Sequence, residues 1–235
     1  MNRSDRSPAV SALSSVSMVD YPGRMAAVFF TSGCNFHCGY CHNAARLGRF
    51  REGMTWESFR RQCSEFRTQW ADGAVITGGE PTLHPGLGEM IRELKAFGFA
   101  VKLDTNGSQP DALERVLGDV DYVAMDIKCA PAKYPEVTGF TDRAALDRSV
   151  CLIRSRARNS EFRTTVVPGM QDDADMTAIG DWIRGARRFV LQPFVPREDL
   201  PEVALRAVPR TRPQRLVQLC ELLKPYAEEV LLRGD

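Results

Sequence analysis

Met25-Ala-Ala-Val-Phe-Phe30 runs on into Cys34-Asn-Phe-His-Cys38-Gly-Tyr-Cys41. The apolar run reads as a strand, and the loop after it carries three cysteines at a C-x3-C-x2-C spacing. Thiolates packed this closely suit an iron–sulfur cluster, whose [4Fe–4S] form ordinarily takes four cysteine ligands. A missing fourth ligand leaves one iron open, and an open metal position is where chemistry happens, as it is in catalytic zinc sites. The rival reading is a structural zinc held by Cys34, Cys38, Cys41 and His42 or His37, because zinc-binding cysteines also stand two to four residues apart.

Outward from this loop the chain alternates strand and helix. Short Val-, Ile- and Phe-rich runs bounded by Gly or Pro predict strands over Ala26–Thr31, Ala74–Thr77, Ala100–Asp104, Tyr122–Ile127, Arg163–Val167 and Phe189–Gln192. Helices are predicted over Trp56–Trp70, Gly86–Phe97, Pro110–Leu117, Arg143–Arg156, Asp173–Gly185 and Pro213–Leu223. The first carries an apolar stripe of Trp56, Phe59, Cys63, Phe66 and Trp70, with Thr55 as N-cap. Repeated β-α units imply a parallel sheet with right-handed crossovers. Six units are too few for a closed eight-stranded barrel, which leaves a partial barrel or an open doubly wound sheet. Both place the ligand at the carboxyl ends of the strands.

The chemistry-bearing residues fall at those ends. Gly78-Gly79-Glu80-Pro81 follows the second predicted strand, Asp104-Thr105-Asn106-Gly107 ends the third, Asp126 and Lys128 end the fourth, and Val167-Pro168-Gly169 ends the fifth. Taken singly, the glycines read as a tight turn and the Asp-Thr-Asn-Gly run as a strand-to-helix turn. Asp126 and Lys128 stand two apart and share a strand face. As a solvated pair they would contribute little. On a strand this apolar, an inward-facing functional pair is the stronger reading.

Composition narrows the class. The 235 residues carry a formal net charge of +1, which gives no electrostatic pull toward nucleic acid or an anionic membrane. No apolar run approaches the ~20 residues of a membrane helix. Residues 1–17 hold six serines and lack a secretory core, so they read as a flexible N-terminus of a cytoplasmic protein. Seven cysteines, an odd number, do not make a secreted disulfide framework. Cys63, Cys151 and Cys220 read as small core residues on helices, and Cys129 ends a strand. The proline- and arginine-rich Pro196–Arg215 reads as a solvated connector to a C-terminal helix at about 210–225, with a docking strip as the alternative.

These residues carry a family resemblance. The C-x3-C-x2-C loop with Tyr40 before its last cysteine, followed by Gly-Gly-Glu, resembles the radical S-adenosylmethionine (SAM) enzymes. Val19-Asp-Tyr-Pro-Gly23, Cys41-His-Asn43, Thr77-Gly-Gly-Glu-Pro-Thr82, Lys102-Leu-Asp-Thr-Asn-Gly107, Tyr122-Val-Ala-Met-Asp-Ile-Lys128 and Val166-Val-Pro-Gly169 resemble the glycyl-radical-enzyme activases. Among these the chain is most similar to the activating proteins of anaerobic ribonucleoside-triphosphate reductase in their longer form, and it also resembles the pyruvate formate-lyase activases.

The resemblance implies an α/β fold, a partial (β/α)6 TIM-like barrel of radical SAM type, as a single domain over 18–235 with its cluster loop at 31–43. It implies one [4Fe–4S] cluster on Cys34, Cys38 and Cys41, with SAM chelating the fourth iron. Gly78, Gly79 and Glu80 would approach the methionyl amine, and Tyr40 would line the adenine side. Asp126, Lys128 and Arg163 would position the carboxylate and ribose. A monovalent cation is implied among Asp104, Thr105, Asp126 and the backbone of Ala124. Phe194-Val195 stands where the formate-lyase activases have a Tyr-His pair, and Gln192 is the candidate replacement for that histidine. The implied partners are a glycyl radical enzyme and a flavodoxin- or ferredoxin-type electron donor, without nucleic acid or membrane. The runner-up is a small-molecule radical SAM enzyme similar to 7-carboxy-7-deazaguanine synthase.

Overall fold

Side chains alternate across each strand, so a sheet packed on both faces needs two apolar rows or one apolar and one buried polar row. This chain does the second. The computed structural model describes residue 8, residues 10–44 and residues 53–234. Eight strands form one sheet: β1 Val10–Ser17, β2 Ala26–Thr31, β3 Gly73–Gly78, β4 Ala100–Thr105, β5 Tyr122–Asp126, β6 Ser160–Val166, β7 Ala186–Pro193 and β8 Ala227–Leu232. Their order in space is their order in the chain. β1 pairs antiparallel to β2, and every later pair is parallel. A doubly wound sheet reverses its order at a switch point. None occurs here, so the sheet coils as a partial barrel, and among the described residues no pairing joins β1 to β8.

The helices are α1 Trp56–Thr68, α2 Leu87–Ala96, α3 Pro110–Val116, α4 Tyr134–Thr138, α5 Arg143–Arg156, α6 Asp173–Trp182, α7 Val203–Arg206 and α8 Pro213–Leu223. The outward strand row, including Phe29, Ile76, Leu103, Met125, Phe162 and Phe189, joins Phe59, Met90, Leu113, Leu146, Ile179 and Leu219 of the helices in one apolar cluster. Phe29 meets the rings of Phe59 and Phe66 at 5.3 and 5.9 Å. Full burial of such a side chain contributes about 1.5–3 kcal/mol. The inward row divides by height. At the bottom, Ala26, Val28, Val75 and Tyr122 pack with Tyr21 as a small apolar plug. Above it the lumen is charged.

Three expectations from sequence give way. Val10–Ser17 is a paired strand, not a frayed end, because its backbone extends β2's ladder; residues 1–7 and 9 lie outside the described residues. α1 stops at Thr68, and Trp70 is 85% exposed. Its φ of 64° puts it in the left-handed region, while Trp70 N–H donates to Arg67 O and Ala71 N–H to Phe66 O. This is a Schellman closure with tryptophan where glycine is usual, so the apolar period outlasts the helix. Cys151 is exposed on α5, whereas Cys63 and Cys129 are buried. Thr55 caps α1, accepting from Ser58 N–H, and Pro110 opens α3, both as read.

Candidate active site

The cysteine loop is held from several sides. Gly79 N–H donates to Thr31 O at 3.0 Å and Glu80 N–H to Gly33 O at 2.9 Å. A Cβ on Gly79 would stand 1.7 Å from Gly33 O. Gly78 has φ +115°, and a Cβ there would lie 2.5 Å from Thr31 N and O. The paired glycines therefore let the end of β3 touch the backbone that leads into the cysteines. Farther along, His37 N–H donates to Thr138 O at 2.8 Å, and Phe36 packs on Phe140 and Tyr134. Tyr40 OH donates to Lys128 O at 3.0 Å. From the other direction the chain after β7 folds back: Glu202 N–H donates to Gly39 O at 3.0 Å, and Val195 O lies 3.0 Å from His42 Nε2. Part of Pro196–Arg215 thus covers the loop, and Leu200 within it is fully buried.

Cys34, Cys38 and Cys41 line one cavity of about 470 Å³. Burial pushes the Cys34 thiol up and the Cys38 thiol up to about 11. Protons on these sulfurs must leave when metal binds. Two N–H donors point at Cys34 Sγ: Phe36 N at 3.4 Å and Asn106 Nδ2 at 3.7 Å. Asn106 is itself fixed by Asn35 Oδ1 and Ser108 N. Among the described residues no three His, Cys, Asp or Glu side chains converge tightly enough for a single metal ion. The donor set is three thiols on one cavity wall with amide donors to sulfur, which is the chemistry of a cluster.

The opposite wall is a chain of alternating charge. Asp104, on the inward row of β4, accepts from Lys102 Nζ at 2.5 Å and Arg163 Nη1 at 3.2 Å. Asp126, level with Arg163 in the β5–β6 register, accepts from Arg163 Nε at 2.8 Å and Lys128 Nζ at 3.1 Å. Burial opposes ionisation of Asp126, yet Arg163 and Lys128 hold its carboxyl well below the usual carboxylate range. Burial also disfavours the Lys128 ammonium, but Asp126 outweighs it and raises the pKa. Lower in the lumen, buried Glu161 takes both Nη of Arg233 at 2.7 Å and Tyr122 OH at 2.8 Å. Every buried charge here has a partner, the condition for leaving water.

Of the residues singled out from sequence, Tyr40, Gly78, Gly79, Asp104, Thr105, Asp126, Lys128 and Arg163 line the same cavity as the cysteines. Glu80 does not. It is fully buried, and its carboxylate accepts from Thr105 Oγ1 at 2.8 Å, Asn106 N at 2.6 Å, Thr82 N at 3.0 Å and Thr82 Oγ1. Burial raises its pKa, although these donors favour the charged form. Its side chain ties the end of β3 to the end of β4 and caps the turn at Pro81–Leu83. Gln192 is half-buried and does not line the cavity. His42, Asn43, Asn106 and Thr165 do line it. All four lie within or beside motifs already quoted, so proximity to the cysteines and strand ends was the available signal.

Three cysteines at the mouth of a coiled parallel sheet, facing a charged wall across one cavity, define the class. A family model described as Radical SAM superfamily matches residues 28–179, and the chain belongs to that superfamily and is an enzyme. Over 232 residues the chain is 33% identical to the "Putative glycyl-radical enzyme activating enzyme MJ1227" of Methanocaldococcus jannaschii, covering 95% of each. It is 25% identical over 201 residues to the pyruvate formate-lyase-activating enzyme of Staphylococcus epidermidis, covering 78% of this chain and 79% of the relative. Among solved structures, Streptococcus suis SuiB bound to S-adenosylmethionine superposes with a TM-score of 0.69 at 14% identity, over 86% of this chain and 48% of SuiB, a likeness of fold alone. Superfamily membership implies a [4Fe–4S] cluster and SAM. Among the described residues no helix is long and apolar enough to cross a membrane.

Proposed function

We propose that this enzyme reductively cleaves SAM and takes a hydrogen from a glycine of a partner glycyl radical enzyme, the partner being an anaerobic ribonucleoside-triphosphate reductase. The observation that carries the activase reading is the near-complete alignment with an activating-enzyme relative, which covers 95% of each chain. Cys34, Cys38 and Cys41 hold the cluster. Gly78 and Gly79 leave space for the methionyl amine, Tyr40 lines the adenine side, and Lys128 and Arg163 meet the carboxylate and ribose, with Asp126 orienting both cations. Glu80 acts at one remove, by fixing the strand ends that carry Gly79 and Asn106. When bound, the cluster and SAM would supply the one-electron chemistry of hydrogen abstraction, and the protein supplies orientation and exclusion of water. The sheet ends that do not meet, β1 and β8, support lateral entry of a partner's loop. A flavodoxin- or ferredoxin-type donor supplies the electron, and the work is cytoplasmic. One sheet carries the whole site, which supports reading residues 18–235 as one domain, extended by β1.

The test is reconstitution with iron and sulfide, reduction, and incubation with SAM and the candidate reductase under anaerobic conditions. A glycyl radical seen by electron paramagnetic resonance in the reductase is the expected result. SAM cleavage without a radical in any candidate partner would remove the activase reading and favour a small-molecule substrate. Asp126→Ala is expected to weaken SAM binding by about tenfold or more, because Lys128 and Arg163 lose their shared anchor. Iron content should stay at the wild-type level. Unchanged affinity would take Asp126 out of the site.

A further inference from the structure

The family resemblance places a monovalent cation among Asp104, Thr105, Asp126 and the backbone of Ala124. The side chains do not fit one. All four carboxylate oxygens of the two aspartates already face cationic groups: Lys102 and Arg163 on Asp104, Arg163 and Lys128 on Asp126. The Thr105 hydroxyl is turned to Glu80 and also accepts from Gly107 N–H at 3.0 Å. Three cations against two carboxylates leave a formal charge of +1 at the wall. A hard cation seeks anionic oxygen, and a fourth positive charge would meet repulsion in a poorly solvated place.

Lys102 sets this balance. It lies two residues before Asp104 on β4 and so shares its inward face. It is 0% exposed, with its ammonium 2.5 Å from Asp104 Oδ1. A buried side chain on a fixed strand cannot be exchanged for a solvent ion. Lys102 does not line the cavity and reaches it through Asp104 and then Arg163.

We propose that the Lys102 ammonium is a built-in substitute for the monovalent cation, so that SAM binding by this enzyme requires neither sodium nor potassium. Lys102 is on this account a positioning residue: it holds Asp104, and through it the Arg163 guanidinium, without touching SAM. The net positive wall is left to the carboxylate of SAM. This inference rests on the radical SAM reading.

The reconstituted holoenzyme is assayed for SAM affinity by equilibrium dialysis in potassium, sodium and N-methylglucamine buffers of equal ionic strength. Wild-type affinity is expected to agree within about twofold across the three, a coupling close to zero. Lys102→Met should bind SAM about tenfold or more weakly in N-methylglucamine and recover in potassium, while Lys102→Arg should remain insensitive. Sodium-23 line broadening on the same wild-type protein, which needs no SAM, should show no potassium-displaceable site, and Lys102→Met should acquire one. A wild-type enzyme that loses affinity without potassium or sodium, or that broadens the sodium signal stoichiometrically, overturns the proposal. Failure of Lys102→Met to fold leaves both wild-type measurements to decide. Absence of SAM binding in every buffer would instead overturn the radical SAM reading, and the sodium measurement would still judge the lysine.

Discussion

Cys38→Ser is expected to yield a folded protein that stays nearly colourless after reconstitution and cleaves SAM at background. The serine oxygen is a hard, weakly acidic donor, whereas iron–sulfur clusters are held by thiolates. The fold should survive, because serine is the smaller side chain and brings no clash, and the loop is held by other contacts: His37 to Thr138, Tyr40 to Lys128 and Gly39 to Glu202. Iron and sulfide analysis with a thermal melt separates the two effects. Retained iron near four per chain, or retained turnover, would sink the assignment of the three cysteines.

Gly79→Ala carries the second large effect. Its Cβ would sit 1.7 Å from Gly33 O, and the obstacle is backbone, which cannot swing aside as a flexible side chain can. Either the β3 end or the cysteine loop must move. The expected cost is about 3 kcal/mol or more in urea unfolding of the apoprotein. Failure to take up iron should accompany it, because the displaced loop carries the ligands. Gly118→Ala is the control, since a Cβ there meets nothing within 4 Å and φ is unremarkable. Wild-type stability and iron content in Gly79→Ala would show that the two loops do not touch as described.

The parallel core was legible because β2 through β7 alternate with helices and end in Gly, Pro or polar residues. Convergence at one rim was legible for the same reason: a parallel sheet gathers its carboxyl ends. The flanking strands were not. β1 is serine-rich, and β8 begins with Ala-Glu-Glu and is a half-exposed edge, so neither carries the apolar run that marks a buried strand. Direction within motifs was also hidden. Glu80 and Lys102 stand inside recognisable stretches, but only the register and the pleat reveal that one is a tie between strand ends and the other a buried counter-ion. Trp70 misled because periodicity reports which face a helix buries and says nothing of where it closes.

Because neighbours in space are neighbours in sequence, each strand from β2 onward meets its partner already made as the chain leaves the ribosome. The thiol-bearing loop is synthesised well before the stretch around Leu200 that roofs it. Metal insertion during translation would therefore find the ligands bare. After release, the same insertion must first lift that roof.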